Sequence, residues 1–232
     1  MELGAGAVEF VQGCSSPACP EATFEEATAA VARSSVAAVV VTIGLTDTEG
    51  NNCATVGCES EAHDRVDIEL PGNQIEEVVA LKRALDTRNS VDPAVPYKPL
   101  ICVVISGGTL ALGAANTACD AIVAGWYPGM RGGTAIAQVL TGLENPAGRS
   151  PTTWYSSTAV LPPMGEVSLY PDRSVGYRGV TYRYFDASEG LPGIDYPFGF
   201  GLSYTSWQYS KLLVPPTATA CENITATVNG EQ

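Results

Sequence analysis

The residues best suited to chemistry are the carboxylates between Cys58 and Arg65. The stretch Cys58-Glu-Ser-Glu-Ala-His-Asp-Arg65 places Glu59, Glu61 and Asp64 beside one arginine. A carboxylic acid that protonates a leaving oxygen at neutral pH needs a raised pKa, which burial or a neighbouring carboxylate provides. Asp64 is expected to stay ionised because Arg65 follows it directly. The stretch suits one proton donor and one structural anion. A solvated acidic loop with a local Asp–Arg pair is the simpler interpretation of these residues alone.

Alternating strand and helix patterns surround this acidic stretch. The β-branched run at 36–43 is typical of a strand buried on both faces of a parallel sheet. The first helix is predicted to begin at a capping box formed by Thr23 and Glu26 and to reach about Arg33. Further strands are predicted at 100–106 and 121–125, and further helices at 73–88, 109–118 and 132–143.

This alternation predicts an α/β fold with an open, mostly parallel sheet flanked by helices. The acidic stretch falls in a long polar loop, 45–65, after the carboxyl end of the first strand. Open α/β sheets bind ligands at that edge. After Asn145 the pattern becomes an irregular, aromatic-rich C-terminal region with strands predicted at 179–185, around 207–213 and at 224–228.

Composition limits the classes of partner. The 232 residues suit one domain with short additions, and 45% apolar residues suffice for a core. A net charge of −13 repels phosphates, so we expect no nucleic-acid partner, whereas a neutral polysaccharide remains possible. The longest apolar stretch, 36–45, is too short to span a bilayer, so we expect no membrane partner. The N-terminus has neither the basic nor the apolar region of a signal peptide.

Seven cysteines bear on the compartment. Two pairs lie close in sequence within loops, Cys14 with Cys19 and Cys53 with Cys58, and predict local disulfides. Cys102 lies in an apolar run and is predicted to be a buried free thiol. The spacing of the pairs is not a standard zinc spacing, so we expect no metal and no other cofactor. Disulfides indicate an extracellular or secretory-pathway protein, and a chain truncated at its N-terminus would reconcile them with the missing signal peptide.

Several motifs occur in an order and spacing that resemble one enzyme family. The acidic motif Glu59-x-Glu-x-x-Asp-Arg65 is followed by Leu70-Pro-Gly-Asn-Gln74. The other motifs are Ser106-Gly-Gly108, Trp126-Tyr-Pro-Gly129, Gly132-Gly-Thr-Ala-Ile-Ala137, Asn145-Pro-Ala-Gly-Arg-Ser-Pro151, Thr153-Trp-Tyr155, Thr181-Tyr-Arg-Tyr184 and Tyr196-Pro-Phe-Gly-Phe-Gly-Leu-Ser-Tyr-Thr205. Together they resemble the C-terminal α/β sandwich domain in the β-xylosidase/α-arabinofuranosidase branch of glycoside hydrolase family 3.

The resemblance implies a domain arrangement and a mechanism. Family members join a (β/α)8 barrel to this sandwich domain, often with a fibronectin type III-like domain after it. They are retaining, exo-acting glycosidases in which a barrel aspartate is the nucleophile and the sandwich domain supplies the general acid/base glutamate. We therefore expect residues 1–210 to be the sandwich domain and 211–232 to begin a truncated fibronectin type III-like domain. The barrel is expected as a partner that this chain lacks.

By this resemblance Glu59 and Glu61 are the acid/base candidates, with Glu59 preferred, while Asp64 and Arg65 hold the loop. The implied activity is hydrolysis of terminal non-reducing sugars of plant or algal polysaccharides, β-xylosidase-like or otherwise β-glucosidase. We expect the isolated chain to be inactive because half of the catalytic pair is elsewhere. A non-catalytic carbohydrate-binding or scaffold module is the alternative, and a large exposed apolar surface would favour the enzyme fragment over it.

The resemblance gives no sugar-binding residues. Trp126, Tyr127 and Tyr182 are aromatic enough to line a sugar site, but we expect each to pack in the core. A flavodoxin-like binding protein would need a phosphate loop after a strand, and Ser106-Gly-Gly108 lacks the longer glycine pattern.

Overall fold

The computed structural model describes residues 8–33, 35–46, 65, 67–91, 96–163, 165–184, 193–213 and 225–231, and from residue 209 onward it describes the backbone. Its N-terminal half is a parallel sheet of three strands in the order β1-β2-β3. The strands are β1 (Val39–Gly44), β2 (Leu100–Ile105) and β3 (Ala121–Ala124). The helices are α1 (Glu25–Val31), α2 (Gln74–Val91), α3 (Ala115–Ala118) and α4 (Gly132–Leu140). The predicted α/β class is confirmed.

One face of this sheet packs on α1 and α2. Parallel register sets Val41 beside Cys102 and Ile43 beside Val104, so these four side chains share a face. They form a core cluster with Phe24, Ala27 and Val31 of the first helix region and Val78, Leu81 and Leu85 of α2. The spacing of the apolar positions on α2 is the i, i+3, i+7 pattern of a helix buried on one side. The core therefore lies between β1–β2 and the α1–α2 pair.

The prediction that the first strand is buried on both faces is wrong. Val40 is 50% exposed and Thr42 is also exposed, whereas Val41 and Ile43 are buried. Because strand side chains alternate, only one face of β1 contributes to the core.

Two helix predictions also need correction. The capping box does not form: α1 begins at Glu25 with Phe24 as its N-cap and no side-chain capping bond. Phe24 is buried in the core, so apolar packing fixes this helix start. The predicted helix 109–118 is reduced to α3, because Ala111 instead bridges to Glu69 as in a parallel sheet.

The C-terminal half contains two small antiparallel pairs. β4 (Trp154–Tyr155) pairs with β5 (Ile194–Tyr196), and β6 (Ser206–Leu213) pairs with β7 (Thr225–Glu231). The strands expected around 207–213 and 224–228 are confirmed. The strand predicted at 179–185 does not form in its described part, where Thr181 has φ +72° and its carbonyl accepts a turn bond from the Tyr184 amide.

Two disulfides occur among the described cysteines. Cys14–Cys19 confirms the prediction for that pair. Cys102 is fully buried as expected, but it is bonded to Cys119, so the prediction of a free thiol is wrong. The pair Cys53 and Cys58 lies outside the described residues.

Candidate active site

The acid/base candidates Glu59 and Glu61 lie outside the described residues, and so does Asp64; their roles stay predictions. The structure describes instead the two stems of the segment 47–64 that contains them. The first stem is the carboxyl end of β1, and the second runs from Arg65 to the start of α2. Both stems lie at the carboxyl edge of the parallel sheet, where the sequence predicted the site.

The first stem is held against the neighbouring strand. The Leu45 amide donates to the Ile105 carbonyl at 2.8 Å, which continues the β1–β2 ladder past the last strand residue. Gly44 has φ +141°, and a Cβ there would lie 1.8 Å from the Ile105 oxygen. A glycine is needed at this point because the two strand ends approach so closely.

The second stem is held by the segment that follows β2. Arg65, half-buried, donates from Nη2 to the Thr109 carbonyl at 3.0 Å. Further along, the Ala111 amide donates to the Ile68 carbonyl at 2.7 Å, next to the Glu69–Ala111 bridge. These contacts hold the second stem at the carboxyl edge of the sheet, next to the residues that follow β2.

Gln74 joins the two stems. It is the first residue of α2 and is 3% exposed. Its Oε1 accepts the Gly44 amide at 2.7 Å, and its Nε2 donates to the Gly44 carbonyl at 2.9 Å and to the Pro17 carbonyl at 2.5 Å. Gln74 belongs to the motif Leu70-Pro-Gly-Asn-Gln74, but the sequence alone did not predict this role for it. A glutamine two residues after Pro71-Gly72, on the same helix face as Val78, Leu81 and Leu85, was the signal that could have identified it.

The Cys14–Cys19 loop packs beneath this junction. Asn73 donates from its backbone to the Cys19 carbonyl at 3.0 Å and from Nδ2 to the Glu21 carbonyl at 2.9 Å. Gly72 has φ +58°, and a Cβ there would lie 1.7 Å from the Ala18 oxygen. The Cys14–Cys19 loop and the residues just after it therefore contact the turn before α2 through several backbone groups.

Glu77, one turn into α2, faces the disulfide. Its Oε2 lies 2.9 Å from Cys14 Sγ, and the side chain is 5% exposed. Burial, and then the charge of Glu21, raise the pKa of Glu77 above its ordinary value. Among the described residues, Cys14, Cys19 and Glu77 form the one group with metal-ligand chemistry. Both sulfurs are bonded to each other, so they are not thiolate ligands in this state.

A charged network occupies the opposite end of the sheet. Lys82 Nζ lies 2.9 Å from Asp86 and 3.6 Å from Asp120, and Tyr97 donates to Asp120 at 2.6 Å. Burial opposes ionisation of Asp120, but hydrogen bonds from Tyr97 and the Leu100 amide outweigh it and lower its pKa. Leu100 begins β2, so this network is at the amino edge and is structural.

The aromatic residues divide between core and surface. Trp126 packs edge-on to Trp154, with ring centroids 6.0 Å apart, which confirms core packing for Trp126. Tyr127 and Tyr182 are 42% and 51% exposed, so core packing is wrong for both. Tyr182 stacks on Phe198 with centroids 3.9 Å apart. Tyr182 therefore packs against Phe198 at the surface and not in the core.

The C-terminal half exposes many large apolar side chains. They are Val167, Leu169, Tyr170, Val175, Tyr182, Phe198, Phe200, Leu202, Tyr204 and Trp207, each at least 40% exposed. A cavity of about 380 Å³ in the same half is lined by Val160–Pro163, Glu166 and Val175–Gly179.

Comparison with known proteins identifies the family. A family described as glycosyl hydrolase family 3 C-terminal domain matches residues 5–204. A β-xylosidase/α-L-arabinofuranosidase 2 of Medicago sativa subsp. varia is 32% identical over 209 residues, 89% of this chain and 24% of that protein. A periplasmic β-glucosidase of Salmonella typhimurium (strain LT2) is 32% identical over 224 residues, 91% of this chain and 25% of that protein.

The fold agrees with a solved structure of β-glucosidase 3B from Thermotoga neapolitana in complex with glucose. The TM-score is 0.61 at 22% identity, covering 85% of this chain and 26% of that one. The chain spans about a quarter of the length of these curated relatives. None of the described helices is both long and apolar enough to cross a membrane. Since the family match covers most of its length, the chain belongs to glycosyl hydrolase family 3, as the C-terminal domain of that family.

Proposed function

We propose that this chain is the second domain of a retaining, exo-acting β-glycosidase and that it supplies the general acid/base glutamate. The observation that supports this most directly is the placement of the stems. Gly44 and Gln74 meet at the carboxyl edge of the sheet, so the segment 47–64 begins and ends where open α/β sheets bind ligands. Glu59 is the proposed acid/base, Glu61 the second candidate, and Asp64 with Arg65 holds the loop.

In this proposal the nucleophile comes from a (β/α)8 barrel that packs against the chain. The two carboxyl groups of a retaining pair lie roughly 5–5.5 Å apart. The glutamate first protonates the leaving oxygen and then, as a carboxylate, removes a proton from the attacking water. The exposed apolar side chains of the C-terminal half support a docked domain over a free-standing carbohydrate-binding or scaffold module.

The proposed substrates are terminal β-D-xylosyl residues of plant or algal polysaccharides, because a β-xylosidase/α-L-arabinofuranosidase is among the relatives. A β-glucosidase is the second candidate, supported by the Salmonella relative. The plant and periplasmic relatives and the two disulfides support a secreted protein. The proposed boundary places 1–210 in the sandwich domain and 211–232 in the start of a fibronectin type III-like domain.

The test uses Glu59→Gln and Glu61→Gln in a barrel-containing protein, with the exposed Glu69→Gln as a matched control. Loss of the acid/base should lower kcat/KM, which reports glycosylation, about 10²–10⁴-fold on alkyl β-xylosides and far less on aryl β-xylosides with activated leaving groups. On the aryl substrates kcat should still fall, because deglycosylation has lost its general base. Azide should restore turnover and yield a β-xylosyl azide, because an anionic nucleophile needs no general base. The 232-residue chain alone should not hydrolyse p-nitrophenyl β-xyloside. Hydrolysis by that chain, or no leaving-group dependence in either variant, would contradict the proposal.

A further inference from the structure

The junction between the two stems depends on one buried side chain, that of Gln74. All three hydrogen bonds of the Gln74 carboxamide go to backbone groups, two on Gly44 and one on Pro17. We call this arrangement the amide clamp. Both Nε2 protons and one acceptor position of Oε1 are used, so the side chain is nearly satisfied where it is buried.

The chemistry of the clamp requires an amide. The side chain offers a donor and an acceptor side by side, and these pair with the carbonyl and N–H of the same residue, Gly44. A carboxylate at position 74 has no donor, so it would place negative charge against the carbonyls of Gly44 and Pro17. An apolar side chain would leave three backbone groups without partners in a site that is 3% exposed.

The clamp also explains why Gly44 needs this partner. Gly44 is the last residue of β1, lies in register with Ile105, and belongs to an edge strand of the described sheet. The next residue, Leu45, donates its amide to the Ile105 carbonyl. On the open side of β1, Gln74 therefore supplies the Gly44 N–H and C=O with the partners that a further strand would give them, close to the start of the segment 47–64.

The third bond ties the clamp to a covalently closed loop. Pro17 lies between Cys14 and Cys19, which are disulfide-bonded. The same loop accepts a bond from the Asn73 amide through the Cys19 carbonyl at 3.0 Å. The start of α2 is thus fixed to a closed loop on one side and to the end of β1 on the other.

We propose that Gln74 is a positioning residue for the acid/base glutamate: its amide clamp fixes the separation and direction of both stems of the segment 47–64. This inference rests on the proposed function, in which that segment presents Glu59 or Glu61 to the barrel. A general acid works only within hydrogen-bond reach of the leaving oxygen, so loosening the stems lowers kcat more than it weakens sugar binding.

The first experiment measures the clamp on the 232-residue chain by hydrogen–deuterium exchange. Gln74→Glu and Gln74→Met are compared with the wild type and with Gln138→Glu on α4. We expect amides of 40–46 to exchange about tenfold or more faster in both Gln74 variants, while β2 amides change less. Two variants are used because either one alone could fail to fold. Equal acceleration in β2, or none at 40–46, would overturn the clamp.

The second experiment measures positioning in the barrel-containing protein. On alkyl β-xylosides, Gln74→Glu should lower kcat by about tenfold or more with little change in KM. On aryl β-xylosides, where glycosylation needs less protonation of the leaving group, the loss of kcat/KM should be smaller. If exchange at 40–46 rises but this leaving-group dependence is absent, while Glu59→Gln or Glu61→Gln shows it, positioning is wrong and the proposed function stands. If neither glutamate variant affects turnover, the proposed function fails, and the positioning role fails with it.

Discussion

Replacing Cys102 and Cys119 together by alanine removes the covalent link between β2 and the residue that follows α3. The two cysteines are 17 residues apart, and a cross-link closing a loop of that size stabilises a fold by about 3 kcal/mol through the entropy of the unfolded chain. Cys102 is fully buried, so the smaller alanine adds a packing loss of about 1 kcal/mol. We expect Cys102→Ala/Cys119→Ala to lower the free energy of unfolding by about 4 kcal/mol.

Urea unfolding, with and without reductant, separates these two contributions. Under reducing conditions neither protein has the cross-link, so the variant should differ from the wild type by the packing loss alone. The matched control is Cys14→Ala/Cys19→Ala, whose loop has a separation of 5 and whose cross-link is worth about 2 kcal/mol. The difference between the two double variants tests the dependence on loop length.

Peptide mapping of the unreduced protein decides the pairing itself. Mass spectrometry should find the peptides of Cys102 and Cys119 joined. Alkylation of Cys102 in the unfolded, unreduced chain would restore the free-thiol prediction and refute the reasoning. An unfolding free energy of Cys102→Ala/Cys119→Ala equal to that of the oxidised wild type would contradict the stabilising role of the cross-link.

Two further predictions concern α2. The pKa of Glu77 is raised, so the folded chain holds this proton to higher pH than the unfolded chain does, and the stabilising contribution is lost as pH rises above about 4.5. Glu77→Gln should therefore gain stability relative to the wild type as pH rises above about 4.5 in urea titrations, with the exposed Glu76→Gln as control, and a stability difference that does not change with pH would contradict this. Leu85 is fully buried, so Leu85→Ala should lower the free energy of unfolding by about 3 kcal/mol in the same assay. The control Val91→Ala, at the exposed end of the helix, should lower it by less than about 0.5 kcal/mol. A cost below about 1 kcal/mol at Leu85 would mean that α2 is not packed on the sheet as described.

The sequence determined the elements whose signals are local. The apolar run that forms β2 and the apolar stripe of α2 predict strand and helix, and Pro71-Gly72 predicts the turn that precedes α2. Local patterns were weaker where packing competes with propensity. Thr23 and Glu26 have the types of a capping box, yet Phe24 is buried and is the N-cap, so the helix begins one residue later than the box predicts. Ala111 pairs with Glu69 instead of joining a helix.

The candidate site divides in the same way. The order of motifs identified the family, and the strand pattern predicted that the acidic stretch follows the carboxyl end of the first strand. The tertiary structure decided which distant groups meet: Cys102 with Cys119, Tyr182 with Phe198, and Gln74 with Gly44, 30 residues away. Periodicity reports only which face of an element is apolar, whereas these contacts depend on how separate elements pack. For that reason the sequence could nominate Glu59 and Glu61, but only the fold shows that a buried amide joins the two ends of their loop.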